Sequence, residues 1–220
     1  MTVCKDDVLS LRAASLDHHF DIRTVTLGIN LKDCMDRNLS ALTKRIQQRI
    51  VEKGQLLNRC ADRLEHQYGI PITNRRIAVT PASLLLEPLP RTKATAVRLA
   101  RALDTAAKKA NIDFLGGFGA MVQKGTTAAE ETLIDALPQA LSKTERVCAF
   151  LNLASTRAGI NMDAIAKMGR IIKDLASRSE NGLGCAKIAV FANVPEDNPF
   201  MAGAHPGIGE PDFSLNIGIS

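Results

Sequence analysis

The chain has 220 residues, 45% hydrophobic and 23% charged, and 28 basic against 23 acidic residues give a net charge of +5. That balance excludes a disordered or collagen-like chain, and the length is ample for a buried core. No apolar run reaches the roughly 18–20 residues that span a bilayer, and with no Trp and one Tyr there is no base-stacking platform for single strands.

Residues 1–20 show little pattern and read as an N-terminal extension. IRTVTLGI (22–29) is rich in β-branched residues and predicts a strand. From Leu39 to Tyr68 apolar residues recur at Leu42, Ile46, Ile50, Leu57 and Leu64, which makes one helix stripe that Gly69 and Pro71 stop. RIAVT (76–80) predicts the second strand, with a proline-bearing loop after it. An Ala-rich helix follows over 92–110, with Lys108 and Lys109 at the negative end of its dipole. DFLGGF (113–118) is a short strand, and a helix over 128–141 contains Pro138 as a kink or break. RVCAFLNL (146–153) is the fourth strand. Asn161 then caps a helix with Asp163 in its first turn. Gly182 and Gly184 precede a strand at 187–193, and FSLNIGI (213–219) gives the sixth.

Strands and helices alternate, and several strands are apolar on both faces. That predicts an α/β fold with a mainly parallel sheet, doubly wound or part of a barrel. Residues 21–220 read as one such unit, and Ser220 follows a core strand without the helix that alternation calls for. The chain therefore reads as a fragment, truncated at its C-terminus.

Charge is uneven along the chain. Residues 1–110 hold 19 basic and 11 acidic residues, a net of +8, and the remainder is acidic. Most of the excess lies on predicted helices, interrupted by acids, as on solvated helix faces, so nucleic acid is not the expected partner. Five scattered cysteines include no C-x-x-C pair and no zinc spacing. The start lacks a secretory pattern, and a reduced, cytoplasmic protein is expected.

In parallel α/β folds ligands bind at the carboxyl ends of strands. The loop after the third strand, GAMVQKGTT (119–127), offers Lys124 to an anion; its plainer reading is a tight turn with a surface lysine. In ASTRAGIN (154–161), Ser155, Thr156 and Arg157 stand before the N-terminal amides of the helix that Asn161 caps, a set suited to phosphate or carboxylate. Cys185 falls before a strand, at the opposite edge, and reads as a small buried hydrophobe. The loop at 193–212 is 20 residues long, beyond the usual limit of about 12–15 for structureless connections. It gathers Asn193, Glu196, Asp197, Asn198, His205, Glu210 and Asp212, residues suited to acid–base work or a divalent metal. No metal-ligand spacing accompanies them, so no metal set is assigned, and no cofactor is assigned either.

The strings DIRTVTLGINLKDC, GIPITNRRIAVTP, FLGGFGAMVQKG, STRAGINMDA, GLGCAKIAVFANVPEDNPFMAGA and GIGEPDFSLNIGIS strongly resemble the uncharacterised domain-of-unknown-function 711 family. It is also called UPF0210, or "PFL family protein", and it is prokaryotic. The likeness runs from about Asp21 to Ser220 in order. It implies half of a pyruvate formate-lyase-like α/β barrel of about ten strands, within full-length members roughly twice this length that form homodimers. The family pattern often has His at the positions of Gln123 and Pro206. Glycyl-radical chemistry is not implied, because fold likeness does not carry a reaction.

Residues and resemblance together predict a site for a small anionic metabolite at the strand ends. Lys124 and Arg157 would neutralise it; Ser155 and Thr156 would hydrogen-bond it, with Asn161 and Asn198 beside them. Asp197, His205 or Glu196 would transfer protons if the protein is an enzyme. The alternative is a non-catalytic ligand-binding or regulatory subunit.

Overall fold

Strand β1 (Ile22–Ile29) and helix α1 (Leu39–Tyr68) form where hydrophobic spacing places them. The Asn38 side chain accepts from the Ser40 and Ala41 amides, and Gly69 closes the helix at φ 67°. The computed structural model describes residues 6, 9, 10, 13, 22–195, 197–199, 203–207 and 211–219. Strand β2 (Ile72–Val79) starts four residues earlier than the apolar pattern indicated. Its polar first half is held by pairing with β1 from Ile22 opposite Ile72, and by Arg75 bridging Asp62 at 2.6 Å and Glu65 at 2.9 Å.

A short helix α2 (Ala82–Leu86) occupies the proline-bearing loop, and Thr92 caps α3 (Lys93–Lys109). Strand β3 (Phe114–Met121) runs three residues past its expected end. Between Leu115 and Phe118 its register with β4 shifts, and Gly117 sits at the irregularity with φ +108°. Only a residue without Cβ adopts that angle at little cost. Thr127 and Glu130 form a capping box for α4 (Ala128–Ser142), which continues through Pro138 instead of ending there.

Strand β4 (Val147–Ser155) turns into a two-residue strand β5 (Gly159–Ile160), so the expected loop is a hairpin. Asn161 caps α5 (Met162–Ser177), as expected. A 3-10 segment, Glu180–Lys187, leads to β6 (Ile188–Ala192), and β7 (Phe213–Ile219) ends the sheet.

The strands lie in the order β6–β4–β3–β2–β1–β7. The first five are parallel and β7 runs antiparallel to β1. From β1 to β6 every parallel crossover steps in the same direction, so right-handed connections put α1, α3, α4 and α5 on one face. A doubly wound sheet would reverse direction, and this one does not.

The core lies between sheet and helices. Ile29, Ile77, Leu115 and Ala149 meet Ile46, Ile50, Leu103 and Leu137, all without solvent exposure. Helix α3 faces neighbours on both sides through Ala96, Ala100, Ala106 and Ala107, whose small side chains permit close approach. Burying each large aliphatic side chain contributes about 1.5–3 kcal/mol. The opposite, open face carries Thr24, Thr26, Gly28, Gly116 and Phe150, and the segment 198–207 crosses it as a strap.

Candidate functional site

At the carboxyl ends of β3 and β4 two turns are stitched together. The Asn161 amide oxygen accepts from Ala164 N at 3.1 Å, which caps α5. Its amide nitrogen donates to Val122 O at 2.8 Å and to Thr126 Oγ1 at 3.4 Å, so the same side chain pins the turn that carries Lys124. Asn193, at the end of β6 with φ +56°, does the same for the β4–β5 hairpin. It accepts from Thr156 N at 2.6 Å and donates to Thr156 Oγ1 at 2.6 Å, while its own amide donates to Ala154 O at 2.9 Å. Ser155 Oγ accepts from Ala158 N inside the hairpin turn.

Ser155, Thr156 and Asn161 thus build the rim, and Lys124 and Arg157 stand on it. Both cations are exposed, and among the described residues neither has a hydrogen bond or ion pair. Asn193 was noticed in sequence only as one polar residue of a long loop. Its clamping role has no sequence signature, because it depends on β6 lying beside β4.

The strap separates the remaining candidates. Asp197 is exposed, Asn198 is buried, and Glu196 lies outside the described residues. Asn198 and His205 exchange backbone hydrogen bonds at 2.8 and 2.7 Å, closing a tight loop. Thr26 Oγ1 donates to Pro199 O at 3.2 Å, which ties the strap to β1. Ala204 passes directly over Gly116, where a Cβ would come within 2.5 Å of its carbonyl oxygen.

His205 is 1% exposed, and its ring stacks on Phe150 with centroids 4.2 Å apart at 12°. Nδ1 lies 3.0 Å from Gly203 O, an acceptor, so the neutral ring carries its proton on Nδ1. Nε2 is buried and has no partner among the described residues. Burial holds the imidazole below its ordinary range, against the opposing pull of Gly203 O and Asp197. The native state therefore favours neutral His205, whereas the unfolded chain protonates near pH 6.5. This contribution is complete above that value and lost as pH falls below it, by at most about 1.4 kcal/mol per unit. Urea unfolding followed by circular dichroism should show the wild type losing more stability than His205→Gln between pH 7.5 and 5.5. Equal losses would remove His205 from the acid response.

Two other features lie away from this rim. At the amino edge of the open face, Arg76 and Lys187 flank Cys148, whose thiol burial pushes up to about 11 despite their pull. It stays protonated at neutral pH and is no nucleophile. Cys185 sits at that edge too, as expected, with Sγ 3.5 Å from Ile172 O. A groove of about 490 Å³ on the helix side is lined by Lys93, Asp135, Lys167 and Arg170. Lys167 is already committed to Asp135 at 2.6 Å and Glu131 at 3.3 Å.

Comparison with known proteins follows the same span as the fold. The family described as "Uncharacterised ACR (DUF711)" matches residues 16–220. The chain belongs to the DUF711 family. It is 48% identical to a UPF0210 protein of Syntrophotalea carbinolica over 222 residues, which covers 100% of this chain and 49% of that protein. A UPF0210 protein of Methanocaldococcus jannaschii is 49% identical, with 92% of this chain and 45% of the relative covered. One from Listeria monocytogenes is also 49% identical, at 93% and 45%. Bacteria and archaea are both represented, and the chain spans about half the length of the curated relatives it matches.

In this DUF711 chain the two positions where the family pattern often has His fall in different places. Gln123 is on the rim turn, bridged to Gly125, and Pro206 is in the strap above Gly28. Among the described residues no group of three His, Cys, Asp or Glu could hold a metal, and no helix is long and apolar enough to cross a membrane.

Proposed function

We propose that this DUF711 chain binds a small anionic metabolite, a carboxylate or phosphate, on the rim at the carboxyl ends of β3, β4 and β6. The observation that carries the reading is the placement of Lys124 and Arg157, unpaired cations on turns fixed by Asn161 and by the Thr156–Asn193 clamp. A preset turn lowers the ordering cost of binding, and charge-assisted hydrogen bonds from these cations contribute about 1.5–3 kcal/mol each. Asp197 is the exposed acid–base candidate. His205 supports the strap beneath and reaches a ligand only if the strap opens. The same rim serves a catalyst or a ligand-binding subunit, and turnover distinguishes them.

The marching strand order, with helices on one face, also supports the half-barrel reading, in which the rim is part of a larger mouth. Thermal unfolding in a phosphate and citrate series tests the site. Wild type should be stabilised as ligand rises, and Arg157→Ala and Lys124→Ala should each weaken the apparent affinity about tenfold or more. Unchanged affinity in both variants would sink the assignment. Loss of a reaction in Asp197→Ala, with binding intact, would favour the enzyme over the binding subunit.

A further inference from the structure

Both ends of the sheet leave apolar side chains uncovered on the helix face. On β7, Leu215, Ile217 and Ile219 are each about 60% exposed, alternating with half-buried Ser214, Asn216 and Gly218. Leu215 lies opposite Leu27 and Ile217 opposite Val25, and Val25 belongs to the core under the helices, so the stripe faces the helix side. At the far end Ile165 and Ile172 of α5 are 40% and 37% exposed, and Val190 of β6, opposite core residue Leu151, is 44% exposed. Each end strand pairs on one side only, β7 with β1 and β6 with β4. Isolated exposed apolar residues are ordinary, but contiguous stripes beside open edges mark an interaction surface.

We propose that the two margins dock one partner, a polypeptide of about this chain's own length, with a strand added at each free edge and a helix laid on each apolar stripe. The occupant is the stretch that the relatives carry beyond the match, slightly more than half of each. A sheet that advances in one direction has two open ends facing alike, and one α/β stretch of comparable length covers both. This rests on the half-barrel reading above.

The test is a chimera in which this chain is joined to the unmatched half of the Syntrophotalea carbinolica relative. Photoreactive p-benzoylphenylalanine replaces Ile217 in one version and Ile165 in another. The expected result is crosslinks from both positions into the joined half of the same chain, in a particle whose stripes lose accessibility. Crosslinks joining two chains would assign the margins to a second copy and overturn the proposal. So would crosslinks from neither position. Amide exchange separates this from the reading it rests on. Crosslinks with slowed exchange along β6 and β7 support docking and strand continuation together, whereas crosslinks with fast exchange there keep the docking and reject the half-barrel.

Discussion

Phe150→Ala should remove about 3–5 kcal/mol of stability. Phe150 is completely buried in β4, on the open face, and its ring lies between two neighbours. The His205 ring stacks on it at 4.2 Å, and the Phe191 ring is tilted 6.5 Å away. Gly119 of β3 makes the space, since a Cβ there would strike the Phe150 ring and its carbonyl oxygen. Truncation leaves a cavity that the surrounding sheet cannot close, and it also removes the surface on which the strap rests. Urea unfolding followed by circular dichroism gives the loss, and limited proteolysis should cut the strap earlier in the variant. A double-mutant cycle with His205→Ala should return a coupling of about 0.5–1.5 kcal/mol beyond burial. A loss below about 1 kcal/mol for Phe150→Ala would contradict a packed ring.

Asp104→Ala should cost about 3–5 kcal/mol, through polar groups left without partners. The carboxylate is 6% exposed on α3 and accepts from the Glu145 and Arg146 amides, both at 2.8 Å. Lys108 approaches it at 3.1 Å. Burial alone would raise its pKa, but the Arg146 amide, Lys108 and the Glu145 amide outweigh that and hold it below the usual carboxylate range. A depressed carboxylate stabilises the fold above its unfolded value and ceases to do so as pH falls through its native value. The gap between wild type and Asp104→Asn should therefore be full at pH 7 and narrow below about pH 4. A gap unchanged at low pH would show that Asp104 acts through packing. Because these amides begin β4, the variant should also loosen the hairpin that carries Arg157.

The elements that were legible share one property, a hydrophobic pattern that matches their own geometry. α1 shows every third or fourth residue apolar, and β7 alternates cleanly, so both could be bounded from residue types alone. The first half of β2, Thr73 to Arg76, shows no such pattern, because its side chains answer to ion pairs and to β1. β3 was cut short at Phe118 because glycine reads as a breaker. There the glycines instead let other chain segments lie against the strand, Ala204 over Gly116 and Phe150 over Gly119. The candidate site divides in the same way. The residue types at Lys124, Arg157 and Asn161 pointed to the rim, whereas the burial of His205 and the clamp at Asn193 depend on long-range placement.

Asn161 has a consequence for how such a rim can change over time. One side chain closes a helix and fastens a turn, so any replacement there perturbs folding and geometry at once. Lys124 and Arg157, by contrast, hold nothing in place. Drift at the turn tips can exchange one ligand preference for another while leaving the scaffold's stability untouched. The recognition chemistry is in that sense modular, a replaceable fitting on a fixed mount.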